Sequence, residues 1–351
     1  MRPRETSERR YAILAEGWFT DRHAKTAHGF IAYGHDEVVA VIDSTLHGRR
    51  VLDVMPDLRR DAPIVGTLDE ALEYSPTSLL VGLAPAGGRL PEEWMKTLRE
   101  AASAGLEIVS GLHQRLAPEL PGAKVWDVRE PPEGVPLFSG EGFAVEPRVA
   151  LTVGTNSAIG KLTATLEVER AAREREISTE FVATGQTGII IAGWGICIDA
   201  VISDFAAGAA EQLVLEAAGA SPSPDLILAE GQGSLGHPAY SGVTMALLHG
   251  SCPDCLILCA DASNEEVFAS VPRPDVERIA RLYEGVAALV KPAPVVAVSV
   301  NTRGLDEDAA QSLTDRIAAS TGLPTVDPVR YSADPILDAV LRAPTTEAIG
   351  L

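Results

Sequence analysis

The chain has 351 residues, of which 46% are hydrophobic and 5% aromatic, and this size and composition predict two α/β domains. Its 49 acidic and 29 basic residues give a formal net charge of −20 at pH 7, which excludes nucleic acid and anionic membrane surfaces as partners because both require basic patches. Residues 1–10 lack the apolar segment of a secretory signal and no apolar run reaches transmembrane length, so we expect a cytoplasmic protein.

Short apolar runs alternate with helix-forming segments through the first third of the chain. Strands are predicted at residues 11–15, 37–43, 79–84 and 106–110, and helices from residue 68 and over residues 91–104. This alternation predicts a parallel sheet, and therefore a Rossmann-like domain over residues 1–130. The region has no G-x-G-x-x-G loop, which argues against a nicotinamide cofactor.

Two features of this first domain are predicted to bind a substrate. Arg49 is followed by a second arginine, and paired arginines can hold a carboxylate through two hydrogen bonds. Ala86, Gly87 and Gly88 follow the strand at residues 79–84, where small residues let a ligand approach the backbone. The alternative for Arg49 is an ordinary solvated surface arginine.

A proline- and glycine-rich stretch at residues 131–147 predicts a linker. Beyond it, an apolar run ends in Gly154, Gly160 and Lys161 follow six and seven residues later, and a helix is predicted over residues 162–175. This strand, glycine loop and helix form the G-x-x-x-x-G-K pattern, which binds phosphate through backbone N–H groups and a lysine. The second domain is therefore predicted over residues 148–351, with a P-loop; the alternative is a structural glycine-rich turn.

One position departs from the usual phosphate-binding pattern. The residue after the lysine, which normally supplies a hydroxyl to a magnesium ion, is Leu162, and the next hydroxyl belongs to Thr163. The loop is therefore predicted to bind phosphate, but the pattern does not by itself predict binding of magnesium and ATP. The predicted phosphate-binding residues are Gly154, Thr155, Asn156, Ser157, Gly160, Lys161, Leu162 and Thr163.

Polar residues follow the further strands predicted at residues 180–183, 226–229, 255–259 and 295–300, and we expect these strand ends to open on the same face as Gly154. Glu230 ends one strand and could serve as a base or a metal ligand, or as a local capping acid. His237 could be a base or a phosphate ligand, or a structural histidine. Gln186 lies between glycines and could bind a ligand or stabilise a turn.

The four cysteines are Cys197, Cys252, Cys255 and Cys259. Cys252 and Cys255 have C-x-x-C spacing, but no second ligand pair follows, so we interpret all four as buried, reduced thiols rather than a zinc site. The sequence also lacks an H-E-x-x-H element. We therefore predict no dedicated metal site.

Taken together, these residues resemble the domain of unknown function 1611 family. The resemblance rests on six segments spread over most of the chain: Asp43-Ser-Thr, Gly82-Leu-Ala-Pro-Ala-Gly-Gly88, Ile108-Val-Ser-Gly-Leu-His113, Val153-Gly-Thr-Asn-Ser-Ala-Ile-Gly-Lys161, Ala183-Thr-Gly-Gln-Thr-Gly188 and Glu230-Gly-Gln-Gly-Ser-Leu235. It implies a Rossmann-like N-terminal domain and a P-loop C-terminal domain. The family's loop usually carries Asp-Cys where this chain has Asn156-Ser157, which puts the shared ligand in question.

The resemblance also implies a reaction, since characterised relatives are similar to D-glutamate N-acetyltransferases that use acetyl-CoA. We therefore expect acetyl transfer from acetyl-CoA to the amine of an acidic amino acid, D-glutamate, whose identity and handedness are implied by the resemblance alone. The P-loop would hold the CoA phosphates, and Glu230, His237 and Gln186 are the candidate catalytic residues. We also expect a homo-oligomer.

Two other functions stay open at this point. The C-terminal half also looks like dethiobiotin synthetase, an ATP-dependent ligase, so an ATP/Mg-dependent kinase or ligase with Thr163 and Glu230 around magnesium is the alternative. A nucleotide-sensing module without catalysis is the third hypothesis. Leu162 counts against the magnesium-dependent function.

Overall fold

The computed structural model describes residues 9–83, 90–262, 266–268 and 270–344, with the side chains of Arg22 and Phe268 left out. Its strands are β1 (Arg10–Leu14), β2 (Glu37–Ile42), β3 (Ile64–Val65), β4 (Ser78–Val81), β5 (Glu107–Ser110), β6 (Val125–Asp127), β7 (Arg148–Gly154), β8 (Thr179–Val182), β9 (Leu226–Ala229), β10 (Cys255–Asp261), β11 (Glu266–Phe268), β12 (Val271–Pro272), β13 (Val295–Asn301) and β14 (Thr325–Val326).

The α-helices are α1 (Lys25–Tyr33), α2 (Val51–Val54), α3 (Leu68–Leu72), α4 (Glu92–Ser103), α5 (Lys161–Glu174), α6 (Gln186–Ala192), α7 (Ser203–Ala218), α8 (Ser241–Gly250), α9 (Val276–Ala287), α10 (Glu307–Thr321) and α11 (Asp334–Arg342). None of the helices in the described ranges is long and apolar enough to cross a bilayer.

The chain packs as two compact units. The first comprises Met1–Pro131 and Gln186–Cys197, and the second comprises Pro132–Gly185 and Ile198–Leu351. The sequence predicts a single boundary, in the linker over residues 131–147, whereas in the structure residues 186–197 pack with the first unit. Their apolar run supplies the reason: Ile189, Ile190 and Ile191 are all buried.

The first unit is built on a six-stranded parallel sheet in the order β3-β2-β1-β4-β5-β6. Its central strands are buried almost throughout, as expected when helices cover both faces of a parallel sheet. α1 and α6 meet where Gly29 leaves room, since a Cβ at Gly29 would lie 2.8 Å from the Thr187 methyl group. This is the Rossmann-like architecture predicted from the alternating strands and helices.

The second unit contains another six-stranded parallel sheet, in the order β14-β13-β10-β7-β9-β8. β7 lies inside the sheet, with β10 and β9 as its two neighbours. Val168 of α5 and Ile336 and Leu337 of α11 belong to one apolar core with residues of β7, β9 and β10. The predicted α/β fold class, with a P-loop domain after a Rossmann-like domain, is confirmed.

The proline- and glycine-rich stretch before β7 packs against α7 of the same unit. A Cβ at Gly208 would lie 2.0 Å from the Pro136 carbonyl oxygen. The buried Glu211 carboxylate accepts hydrogen bonds from Ser139 N at 2.6 Å and from Gly142 N at 3.0 Å. Residues 136–142, predicted as linker, are therefore fixed on the second unit.

Candidate phosphate and general-base site

The predicted P-loop joins β7 to α5. β7 ends at Gly154, α5 begins at Lys161, and Gly160 before the helix has a φ of +112°, a backbone conformation that favours glycine. A Cβ at Gly154 would lie 3.1 Å from Lys161 Nζ. The loop thus curls closely around its own lysine, at a helix N-terminus where unsatisfied N–H groups and the helix dipole favour an anion.

Lys161 is buried against this loop rather than extended into solvent. Its Nζ donates a 2.8 Å hydrogen bond to the Asn156 carbonyl oxygen, and the residue is 6% exposed. Burial lowers the pKa of its ammonium group to about 8, although Cys259, Glu230 and Asp261 act in the opposite direction. The lysine charge is thereby sensitive to pH near neutrality and to any anion bound beside it.

Thr155 carries a buried hydroxyl that none of the described residues satisfies. The residue is 1% exposed, its backbone N–H donates to Cys259 O at 3.0 Å, and its Oγ1 has no hydrogen-bond partner in the part of the chain that the structure describes. Because a buried hydroxyl without a partner costs about 1–3 kcal/mol, it marks a position where a ligand oxygen would be stabilising.

The remaining predicted loop residues have different surroundings. Asn156 Oδ1 accepts from Ser157 N at 2.7 Å, and Asn156 Nδ2 donates to Val267 O at 3.4 Å. Leu162 and Thr163 are the second and third residues of α5 and are half-buried. Since successive helical residues are rotated by about 100°, Thr163 does not take the direction of the hydroxyl that Leu162 replaces.

Glu230 follows β9, the strand beside β7, and its carboxylate is held by backbone amides. Oε2 accepts from Thr184 N and Gly185 N, both at 3.1 Å, while the Glu230 carbonyl accepts from Thr184 Oγ1 at 2.7 Å. The residue is 6% exposed. Burial raises the pKa of its carboxyl group to about 7, against the lowering effect of the two amides and of Lys161. A carboxylate with such a pKa is suited to accept a proton at neutral pH.

His237 is oriented by its own loop. Its Nδ1 accepts from Ala239 N at 3.2 Å, its ring stacks on Tyr240 with centroids 4.4 Å apart, and burial lowers its pKa, as does the nearby Lys161 charge. With Nδ1 accepting, the neutral ring carries its proton on Nε2. This tautomer makes Nε2 a donor rather than a base.

These residues lie at one edge of the second sheet. The predicted carboxyl-end clustering is confirmed by the parallel pairing of β7 with β9 and β10, and the Lys161 charge acts on the pKa values of both Glu230 and His237. Buried acid, buried lysine and glycine loop thus form one site. Such an arrangement can bind a phosphorylated ligand and remove a proton beside it.

Comparison with known proteins places the chain in a family. Residues 136–337 match the model of a domain of unknown function, the DUF1611_C P-loop domain, and residues 44–131 match the DUF1611_N Rossmann-like domain. The chain belongs to the DUF1611 family. The resemblance seen in the sequence is therefore confirmed.

A solved structure and two curated proteins are similar to this DUF1611 protein. The crystal structure of a DUF1611 family protein from Anabaena variabilis has a TM-score of 0.89 and 40% identity, covering 95% of this chain and 100% of that one. A D-glutamate N-acetyltransferase from a Pseudoalteromonas species is 36% identical over 279 residues, 76% of this chain and 82% of the relative. One from Tritonibacter scottomollicae is 37% identical over 286 residues, 78% and 84% respectively. The DUF1611 protein is accordingly an enzyme, an N-acyltransferase.

The other predicted site residues belong to the first unit. Gln186 begins α6, and its Oε1 accepts from Arg129 Nη2 at 2.8 Å. Arg49 is exposed. Ala86, Gly87 and Gly88 lie outside the described residues of the DUF1611 protein. The roles of all five positions stay predictions.

Sequence reasoning missed three contributors to the site of the DUF1611 protein. The backbone amides of Thr184 and Gly185 bind the Glu230 carboxylate. Tyr283 of α9 is fully buried, and its hydroxyl donates to Gly154 O at 2.9 Å and accepts from Leu235 N at 3.1 Å. These contacts join segments far apart in sequence, so no local pattern could have predicted them.

The cysteines of the DUF1611 protein are as expected. All four are buried and free, and burial raises the pKa values of Cys252, Cys255 and Cys259 to about 12. Among the residues that the structure describes, no group of three or more His, Cys, Asp or Glu side chains is arranged to hold a metal ion.

Proposed function

We propose that this enzyme transfers the acetyl group of acetyl-CoA to the amino group of an acidic amino acid, D-glutamate. Two relatives that are 36% and 37% identical to it over 279 and 286 aligned residues are named D-glutamate N-acetyltransferases. The observation that carries the proposal is Glu230, a buried carboxylate of raised pKa whose ionisation is coupled to that of the P-loop lysine. Such a pair offers a proton acceptor next to a phosphate-binding loop.

The loop fits the diphosphate of CoA. Gly160 and Lys161 provide a helix N-terminus and a cation, and Thr155 provides a buried hydroxyl that has no partner among the described residues. In a protein of net charge −20, an anion needs such local donors, because the general field repels it. Acetyl-CoA bound there supplies a thioester, whose carbonyl carbon accepts the amine.

Glu230 is the proposed base. The acceptor arrives as an ammonium ion and must lose a proton before its nitrogen can attack the thioester carbon. The nitrogen–carbon bond then forms, the carbon–sulfur bond breaks, and of the two protons that nitrogen gives up one ends on sulfur and one in water. Nδ1 of His237 accepts a hydrogen bond from Ala239 N, so the neutral ring carries its proton on Nε2, which can donate but cannot accept a proton. The base role is therefore assigned to Glu230.

The acceptor carboxylates need positive partners. Arg49 and the segment Ala86, Gly87 and Gly88 remain the proposed substrate contacts of the first unit, and Gln186 a proposed catalytic residue. Each is tested by its effect on the KM for the amino acid rather than for acetyl-CoA, since the P-loop residues act on the phosphates.

The deciding assay gives purified enzyme acetyl-CoA with D-glutamate or L-glutamate and follows the free thiol. In parallel, the enzyme receives ATP with magnesium and ADP is followed. The protein's own thiols are buried, so a thiol reagent reports released CoA with little background. Thiol release that depends on D-glutamate is the expected result.

ADP formation without thiol release would instead indicate the ATP-dependent kinase or ligase and overturn the proposal. Lys161→Ala serves as the control for the site, because it removes the cation from the P-loop and leaves the Glu230 side chain in place. We expect acetyl-CoA binding to weaken about 100-fold, typical of removing a charged partner from a bound phosphate, as measured by calorimetry.

A further inference from the structure

A chain of hydroxyl groups connects the turn after Glu230 to the first residue of α5. Gly231 N donates to Thr152 Oγ1 at 2.9 Å, Thr152 Oγ1 is 3.0 Å from Thr165 Oγ1, and Thr165 Oγ1 donates to Lys161 O at 2.9 Å. Since the Thr165 hydroxyl gives its proton to Lys161 O, Thr152 is the donor between the two threonines, and the Ala229 carbonyl oxygen at 3.5 Å is a second, more distant acceptor for the Thr152 hydroxyl. Every link therefore runs in one direction.

The two threonines are buried. Thr152 lies between Leu151 and Val153 in β7 and is 0% exposed, and Thr165 is 1% exposed. A buried hydroxyl is costly unless it is bonded. Each hydroxyl here has both a donor and an acceptor, and serial hydrogen bonds of this kind strengthen one another.

The turn after Glu230 lies directly against β7. A Cβ at Gly231 would be 1.6 Å from the Thr152 carbonyl oxygen, so only glycine allows this approach. The peptide group between Glu230 and Gly231 is thus bonded on both sides, its carbonyl to Thr184 Oγ1 and its N–H to Thr152 Oγ1. The backbone of the acid has little freedom to move.

We propose that Thr152 and Thr165 are positioning residues that hold Glu230 at a fixed place relative to Lys161. The chain ends at the backbone of the acid on one side and at the backbone of the lysine on the other. The base role of Glu230 rests on the proposed function, whereas the positioning itself does not.

The test replaces the hydroxyl of Thr165 with a methyl group of the same shape, in Thr165→Val. Two charged groups act on the Glu230 carboxyl, Lys161 from α5 and Asp199 from the turn Ile198–Ala200. Loosening the acid from the lysine weakens the attraction that lowers the carboxyl pKa, so we expect this pKa to rise by about half a unit to one unit. kcat should fall about tenfold, as for modest misplacement of a catalytic group.

The carboxyl pKa is read by NMR of protein labelled with ¹³C at glutamate carboxyl carbons, with the Glu230 signal assigned from Glu230→Gln. Thr165→Ser keeps the hydroxyl and should restore both the pKa and kcat. Thr314→Val is the matched control: Thr314 is buried on α10 and donates to Ala310 O at 2.9 Å, the same bond to the fourth preceding residue. It should change neither the Glu230 pKa nor the pH profile.

The outcomes separate the two proposals. If Thr165→Val keeps the wild-type carboxyl pKa and kcat and loses only thermal stability, as Thr314→Val does, the positioning role is wrong. If the wild type releases no thiol with any glutamate, the proposed reaction fails, but the carboxyl titration still decides the positioning role. Thr152→Val repeats the test from the other threonine.

Discussion

Two buried acids follow strands of the two parallel sheets and are used differently. Asp43 follows β2 in the first unit; its Oδ2 accepts from Phe19 N and its Oδ1 from Thr45 N, both at 3.0 Å, and Oδ1 also accepts from Thr45 Oγ1 at 2.6 Å. Glu230 follows β9 in the second unit and accepts two amides through Oε2 alone. Both residues are almost fully buried.

The difference lies in what surrounds each carboxylate. The hydrogen bonds of Asp43 engage both of its oxygens and fix the loops that follow β1 and β2, so its role is to shape the backbone. Oε1 of Glu230 takes part in neither amide bond, and its carboxyl group feels the charge of Lys161. A buried acid at the end of a strand is therefore a candidate base when two conditions hold. Its hydrogen bonds to backbone amides use only one carboxylate oxygen, and a cation lies close enough to act on its pKa.

The largest expected effect comes from removing the two acids in turn. Glu230→Gln keeps the shape of the side chain but cannot take a proton, so kcat should fall by a factor of about 10²–10⁴ with little change in melting temperature. Asp43→Asn replaces an acceptor oxygen with a donor, and we expect a loss of about 1–3 kcal/mol in the free energy of unfolding with kcat retained. Kinetics and denaturant unfolding of both variants check this; equal kcat losses would contradict the comparison.

The residues that directly follow the two acids, Gly231 and Ser44, should differ in how much a substitution lowers the free energy of unfolding. Gly231→Ala would place a methyl group on the Thr152 carbonyl oxygen, so the turn must shift, at a cost of about 3 kcal/mol or more in unfolding free energy and with loss of activity. Ser44→Ala, in the exposed turn after Asp43, removes only a hydroxyl bond to Glu16 and should cost under about 1 kcal/mol. Urea unfolding of both variants measures the difference, and a tolerated Gly231→Ala would show that the close approach is not required.

The pH dependence of kcat/KM should reveal the coupled pair of the second unit. Glu230 must be ionised to act, and with a pKa of about 7 the rate should rise tenfold per pH unit up to about pH 7. Lys161 must be charged to bind phosphate, and with a pKa of about 8 the rate should fall above about pH 8. In the pH profile of kcat, the falling limb should shift to higher pH, because bound phosphate stabilises the ammonium group of Lys161 and raises its pKa.

Two variants test this assignment of the limbs. Lys161→Arg should remove the falling limb, since arginine stays charged throughout this pH range. Asp43→Asn should leave both limbs where they are. A rising limb near pH 4 in the wild type would assign the base to a different, solvated carboxylate.

Much of the second unit could be predicted because its signals are local. The apolar run before Gly154 and the Gly160-Lys161 pair define β7, the loop and the start of α5, and Glu230 follows directly after an apolar strand. The orientation of the acid could not be predicted, because the amides of Thr184 and Gly185 lie 46 and 45 residues away from it in the sequence. The hydroxyl chain through Thr152 is likewise formed across strands.

The first unit shows a different limit. β6 (Val125–Asp127) is short and half-buried, so it lacks the apolar run by which a strand is recognised. Gln186 lies between glycines, a pattern typical of a turn, yet it begins α6, and a Cβ at Gly111 would lie 2.8 Å from its side chain. Local glycine spacing could not show that this segment packs with distant residues.

The placement of Gln186–Cys197 in the first unit limits how this protein can be divided. A fragment that stopped at Pro131 would lack α6, and the surface of α1 around Gly29, normally covered by Thr187 and Ile191, would face water. In a hybrid made by exchanging halves of related enzymes at residue 131, the sheet of the first unit would come from one enzyme and α6 from the other. An exchange that keeps the first unit intact has to carry residues 186–197 together with residues 1–131.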